Sequence, residues 1–168
     1  MKQIAVAFTG PSNSGKTTLI TKVAQILLEN YRVAIIKNDP KDKALFDVPG
    51  KDSDKFTKTG AETVVVSPTR TTYFSHRSRT LREIVDMIGE FDILLVEGLK
   101  TLPLPRIAVF RGEINESYLP HSEAIAIDES VDIDSYRIPE SIEILDLNNP
   151  DAVIGWIVKH GKAIKEIT

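Results

Sequence analysis

The sequence predicts an α/β protein, a three-layer sandwich around a mainly parallel sheet. Three observations lead there. The chain opens as an apolar β-prone run, a glycine-containing turn and a helix-patterned stretch, IAVAF, TGPSNSGKTT and LITKVAQILL. A continuous apolar run, ILLV at 93–96, has the pattern of a strand buried on both faces. Strand-like and helix-like segments then alternate, as right-handed crossovers between parallel strands require.

Taken in order, Gln3–Thr9 forms the first strand, and Leu19, Val23, Ile26 and Leu27 recur at helical spacing behind it. Tyr31–Ile36 reads as the second strand. The polar, two-proline segment NDPKDKALFDVPGKDSD is long for a connection in a compact domain, which points to a functional loop. Lys55–Thr59 is a short helix with Asp52 or Ser53 as its cap and Gly60 at its end, leading into a strand at Thr63–Ser67. Thr71–Ser75 pairs beside that strand. Arg79–Gly89 places Leu81, Ile84, Val85 and Ile88 on one helical face, and Asp92–Val96 is the central strand. Strands follow at Arg106–Phe110, Ala124–Ile127 and Ile142–Leu145. A last helix begins near Pro150 with Val153, Ile154, Ile157 and Val158 facing inward.

The chain has 168 residues, a length that fits one domain with a sizeable core. With 42% hydrophobic and 27% charged residues it has the composition of a globular protein. A net charge of −3 argues against non-specific nucleic-acid binding, which depends on clustered cations. There is no cysteine, so thiolate metal sites, disulfides and a cysteine nucleophile are excluded, and a reducing cytoplasm is the expected location. No run approaches the roughly 18 apolar residues of a membrane span.

Gly10, Gly15, Lys16 and Thr17 satisfy G-x-x-x-x-G-K-[ST] between a strand and a helix, the loop whose backbone N–H groups converge on phosphate oxygens. The fold class thereby becomes a three-layer P-loop NTPase sandwich, in a single nucleotide-binding domain over residues 1–168. Gly10 and Gly15 allow close backbone approach. Lys16 neutralises the β and γ phosphates, and Thr17 offers its hydroxyl oxygen to Mg²⁺. Ser12, Asn13, Ser14 and Thr18 complete the cradle.

In an open α/β sheet, ligands sit beyond the carboxyl ends of the strands. Asp92 and Glu97 lie at opposite ends of FDILLVEG, about 16 Å apart at roughly 3.3 Å per residue, so only Glu97 reaches the phosphate edge. Glu97 either binds Mg²⁺ directly, holds it through water or orients the attacking water. Asp39 follows the second strand and is a candidate metal ligand, with an Asp-Pro turn as the plain alternative. Lys51 and Asp52 belong to the long loop and are candidate nucleotide contacts; Asp52 has helix capping as its alternative. Lys100 and Arg111 lie just past strand ends, where they meet phosphates or are simply solvated charges. His76, His121 and His160 show no metal spacing.

Together GPSNSGKTT, PGKDSDKFTKTGAETVVVS, LLVEGLK and RIAVFR resemble the molybdopterin-guanine dinucleotide biosynthesis adapter family, MobB, over about residues 2–111. The tail ILDLNNPDAVIGWIVKHGK fits the family's closing strand and helix more loosely. The resemblance implies a homodimeric GTP- and Mg²⁺-binding protein of low GTPase activity. Its partner would be the guanylyltransferase that attaches GMP to molybdopterin, with molybdopterin as a further candidate ligand. It also implies that Gly15, Lys16 and Thr17 hold the nucleotide, that Glu97 lies by the metal, and that Pro49–Ser53 belongs to the functional face. The chain departs from family members that carry a histidine-rich run after the second strand, since it reads KNDPKDKALFD there. Guanine preference rests on the resemblance, because no N-K-x-D element appears and Asp128 is only a substitute carboxylate. The alternative is a small-molecule kinase using ATP or GTP, with Lys100, Arg111 or the 38–54 loop binding the acceptor.

Overall fold

The computed structural model describes residues 3–167. In chain order the elements are β1 (Ile4–Thr9), α1 (Lys16–Leu27), β2 (Val33–Lys37), α2 (Asp52–Thr57), β3 (Thr63–Val66) and β4 (Thr71–Phe74). They continue with α3 (Leu81–Ile88), β5 (Ile93–Glu97), β6 (Arg106–Val109), β7 (Ala124–Ile127), β8 (Glu143–Asp146), α4 (Pro150–His160) and β9 (Lys162–Ala163). They gather into two compact units, one made of the chain up to Asn38 and from Ile88 onward, the other of Asp39–Met87.

The first unit is built on a sheet of strand order β2-β5-β1-β6-β7-β8. Its pairs are parallel except for β9, which runs antiparallel to the start of β1. Six strands therefore end on one edge. β1 is central, and Ala5–Phe8 are fully buried. One face carries α1 and α4, whose Leu19, Val23, Leu27, Val153, Trp156 and Ile157 pack on Val6, Phe8, Leu95 and Val109. Each such side chain contributes roughly 1.5–3 kcal/mol by leaving water. On the opposite face, over β6–β8, the cover is short 3₁₀ turns and loops: Phe110, Ile114, Leu119, Ile125, Val131 and Ile142 form a second cluster, with Phe110 and Tyr118 edge-to-face at 5.9 Å.

The expected inward face of α4 is corrected in one place. Val158 is 54% exposed, and Trp156 is buried instead. At 3.6 residues per turn Val158 stands about 140° round the helix from Val153, whereas Trp156 and Ile157 flank it. Asp92 behaves as a strand-start residue. Its Oδ2 accepts from the Arg32 backbone N–H at 2.8 Å and from Nε at 3.2 Å, and its Oδ1 accepts from Nη2 at 3.1 Å. These bonds, led by the Arg32 side chain, hold the Asp92 pKa down at about 2.

In the second unit, β3 and β4 pair as an antiparallel hairpin from Thr63↔Phe74 to Val66↔Thr71. The expected cap of α2 differs. The helix starts at Asp52, its N-cap is Lys51, and Asp52 and Ser53 stand inside the first turn. Asp54 instead ties the entry, accepting from the Gly50 N–H at 2.8 Å. Gly60 closes the helix as expected, its N–H reaching the Thr57 carbonyl at 3.0 Å with φ +86°. Before α3 a capping box forms: the Thr80 N–H donates to Glu83 at 2.9 Å, and the Glu83 N–H donates to Thr80 Oγ1 at 3.3 Å.

Two outcomes follow from this packing. Trp156→Ala should cost about 3–5 kcal/mol in urea unfolding, as large-to-small core changes do, while Val158→Ala should stay within about 0.5 kcal/mol. Because the folded-state pKa of Asp92 lies near 2, below the ordinary 3.8, its stabilisation is present above pH 3.8 and disappears as pH falls toward 2. Asp92→Asn should flatten that acid limb, read from midpoints between pH 2 and 5; an unchanged limb would refute the Arg32 pairing.

Candidate functional site

The site grows from the end of β1, where the chain must reverse sharply and enter α1. Gly10 has φ +133°, and a Cβ there would stand 2.4 Å from the Val109 carbonyl oxygen of the neighbouring strand. Asn13 and Gly15 also take positive φ, +63° and +94°. Asparagine tolerates that region through its short polar side chain. α1 then begins at Lys16 without any side-chain cap, so the N–H groups of its first turn remain available to an anion. A cleft of about 300 Å³ lies over this turn, lined by Asn13–Thr18 and Arg111.

Lys16 folds back over its own loop. Its ammonium donates to the Gly10 carbonyl at 3.0 Å, the Pro11 carbonyl at 2.5 Å and the buried Ser14 hydroxyl at 3.5 Å. Burial lowers its pKa; the negative charge of Glu97 raises it in part, and Lys37 and Lys100 lower it further.

Glu97 ends β5 beside Phe8 of β1 and Lys37 of β2. Its side chain is 15% exposed and accepts from the Lys37 ammonium at 2.8 Å. The turn after it is fixed in two ways. The Gly98 N–H donates to the Phe8 carbonyl at 3.0 Å, and the buried Arg106 guanidinium donates to the carbonyls of Gly98, Lys100 and Leu102 at 3.3, 3.3 and 3.0 Å. Glu97 is thus aimed by its strand and its turn.

Among the described residues no three His, Asp or Glu side chains form a protein-only metal cage. The exposed Thr17 hydroxyl and the Glu97 carboxylate are the donor types Mg²⁺ uses when phosphate oxygens and water fill its other positions. Lys100 does not line the loop's cleft; its ammonium sits 4.3 Å from the Tyr118 ring centroid and it borders a larger, proline-walled cavity of about 420 Å³ with Arg106, His121 and Lys162.

The profile of MobB, Molybdopterin guanine dinucleotide synthesis protein B, matches residues 5–129. The chain belongs to the MobB family. Molybdopterin-guanine dinucleotide biosynthesis adapter proteins of Escherichia coli and Haemophilus influenzae are 28% and 29% identical to it. The first match covers 92% of this chain and 91% of its relative, the second 90% and 86%. Bacillus subtilis MobB shares the fold with a TM-score of 0.76 at 21% identity, over 95% of this chain and 98% of that one. The hydrogenase maturation factor HypB of Archaeoglobus fulgidus is a more distant fold neighbour, with a TM-score of 0.54 at 16% identity, over 94% and 87%.

Within this MobB-family chain, the fold brings Gly10, Ser12, Asn13, Ser14, Gly15, Lys16, Thr17, Thr18 and Glu97 together on one unit. Asp39, Lys51 and Asp52 belong to the other. There Asp39 Oδ2 accepts from the N–H groups of Lys43 and Ala44 at 2.8 and 2.7 Å, and Asp52 pairs with Lys55 at 3.2 Å. Sequence reasoning missed Lys37 altogether; a lysine closing a strand beside an acid 60 positions away leaves no local trace.

The two loop glycines should differ in tolerance. Gly10→Ala forces a Cβ into a backbone carbonyl and should cost about 3 kcal/mol or more, while Gly15→Ala meets only the flexible Arg111 side chain at 3.3 Å and should cost about 1–2 kcal/mol. Denaturant midpoints of the two variants check the order, and equal costs would refute the close approach at Gly10.

Proposed function

We propose that the protein is a GTP·Mg²⁺-binding adapter in molybdopterin guanine dinucleotide biosynthesis, assisting the cytoplasmic enzyme that transfers GMP to molybdopterin and hydrolysing GTP slowly at most. The observation that carries this is the uncapped N-terminus of α1, wrapped by Gly10–Thr18 and faced by Glu97. The names of the E. coli and H. influenzae relatives support the pathway and the adapter role.

In this reading the N–H groups of Asn13–Thr18 receive the phosphate oxygens, with Ser12 at the mouth of the loop. Lys16 exchanges the Gly10 and Pro11 carbonyls for β and γ oxygens, better acceptors for an ammonium because they are charged. Thr17 and Glu97 hold the metal ion. Mg²⁺, when bound, supplies positive charge at the phosphate oxygens. Slow turnover fits a site whose residues bind and orient more than they activate water. Homodimerisation is supported by the second unit's exposed Leu45, Phe46, Phe56, Val64 and Val66, apolar side chains that a second copy would cover.

The test is a Mg²⁺-dependent titration of GTP against ATP, with recovery of partners from a lysate by the GTP-loaded protein. GTP should bind more tightly, and a molybdenum-cofactor guanylyltransferase should be recovered. Lys16→Ala should lower GTP affinity at least about 100-fold, the loss of charged hydrogen bonds worth roughly 1.5–3 kcal/mol each, while its melting temperature stays within a few degrees. ATP preference without that enzyme would overturn the proposal.

A further inference from the structure

The loop's cleft contains one cation that neither the motif nor the family match assigns. Arg111 follows β6 and Phe110, whose N–H donates to the Ala126 carbonyl at 3.0 Å and so anchors the end of that strand. Its guanidinium reaches back over the phosphate loop, with Nε, Cζ and Nη2 at 3.3, 3.4 and 3.6 Å from the place a Cβ on Gly15 would occupy.

An ion pair holds it there, on a carboxylate that hydrogen bonds fix in turn. Arg111 Nε pairs with Asp128 Oδ2 at 3.1 Å. Ser130 donates its hydroxyl to Asp128 Oδ1 and its N–H to the same oxygen at 3.1 Å. The Ser130 hydroxyl oxygen in turn accepts from the Gly112 N–H at 2.8 Å. The turns after β6 and β7 are thus stitched together. Asp128 is 11% exposed and Arg111 47%. The carboxylate, with its Oδ1 on Ser130 and its Oδ2 on Arg111, is an anchor for the guanidinium rather than a spare acceptor for a guanine base. Paired with Asp128 at Nε, the guanidinium lines the cleft.

Strand order fixes which part of a nucleotide this cation meets. β1 has β5 on one side and β6 on the other. Glu97 and Lys37 lie on the β5 side, where a metal ion and the terminal phosphate would sit. The remainder of the nucleotide must leave the loop on the β6 side, over the cleft that Arg111 borders. We propose that Arg111, positioned by Asp128, is a nucleotide-binding residue that clasps the inner phosphates, so that it holds nucleoside di- and triphosphates alike. This rests on the phosphate-loop reading above. A planar fork of donors beside a covered carboxylate is well suited to two phosphate oxygens.

The test compares Mg²⁺·GTP and Mg²⁺·GDP binding by the full chain, the Arg111→Ala, Arg111→Lys and Asp128→Asn variants, and Lys16→Ala as a reference. Arg111→Ala should weaken GTP and GDP by the same factor, about ten- to a hundred-fold. Arg111→Lys should recover part of that affinity and Asp128→Asn should lose a smaller part. Retained GDP affinity with hydrolysis reduced by orders of magnitude would overturn the proposal by moving Arg111 to the terminal phosphate. Unchanged affinity for both nucleotides would overturn it while leaving the phosphate loop intact. If the unmodified protein binds neither nucleotide, the reading of the loop itself fails, and this assignment with it.

Discussion

The site depends on one steric constraint, the absence of a side chain at Gly10. β1 is packed on both faces and paired on both sides, so the chain leaving it has no room to turn gradually. The reversal brings position 10 against the carbonyl of Val109, at a distance that only hydrogen tolerates. From there the positive φ at Asn13 and Gly15 winds the chain so that α1 begins with its N–H groups facing inward over the loop. Moving the loop outward to accommodate a Cβ would also move the helix start, and with it Lys16. Backbone packing inside the sheet and the shape of the loop at its edge are therefore the same requirement.

Charge at this edge is arranged against the sign of the whole chain. The net charge is −3, yet Lys37 pairs with Glu97 at this edge, and Lys37 and Lys100 both act on the Lys16 ammonium through their charges. A local excess of cations concentrates an anionic ligand regardless of the net charge. The Lys37 to Glu97 pair involves a lysine side chain 64% exposed, so it contributes little to stability and a cation of higher charge can replace it at small cost. Glu97 itself is more firmly placed, because Phe8, Gly98 and Arg106 fix the backbone around it.

What the sequence revealed and what it hid separate along the same physical line. The phosphate loop, the opposite placement of Asp92 and Glu97, and the alternation behind a parallel sheet are local patterns, carried by period and spacing within a few residues. Val158 of α4 faces outward and Trp156 inward, because the 3.6-residue period places Val158 away from Val153 and Trp156 close to it. The cap of α2 is Lys51, and Asp54 inside its first turn takes the Gly50 N–H, a contact that composition does not decide. The partners of Glu97 and Arg111 come from other strands, Lys37 from 60 positions before Glu97 and Asp128 from beyond the next strand. Nothing local encodes such pairs, and parallel strand order is what brings them together.

Parallel order also explains how one short loop can have two chemically different sides. Each strand of the main set delivers its carboxyl end to the same edge, so the neighbours of β1 decide what stands beside the loop. β5 delivers an acid backed by a lysine; β6 delivers an arginine backed by an acid. In the first pair the carboxylate is the more buried partner, and in the second it is again the acid that is covered, at 15% and 11% exposure, while each cation remains partly open. A covered carboxylate with an exposed cation suits exchange for a metal ion, whereas a guanidinium paired with a covered carboxylate has further donors to offer. An electrically polar ligand, with a metal-bound end and an inner end, would meet complementary groups on both flanks of β1 without any change in the order of the sheet.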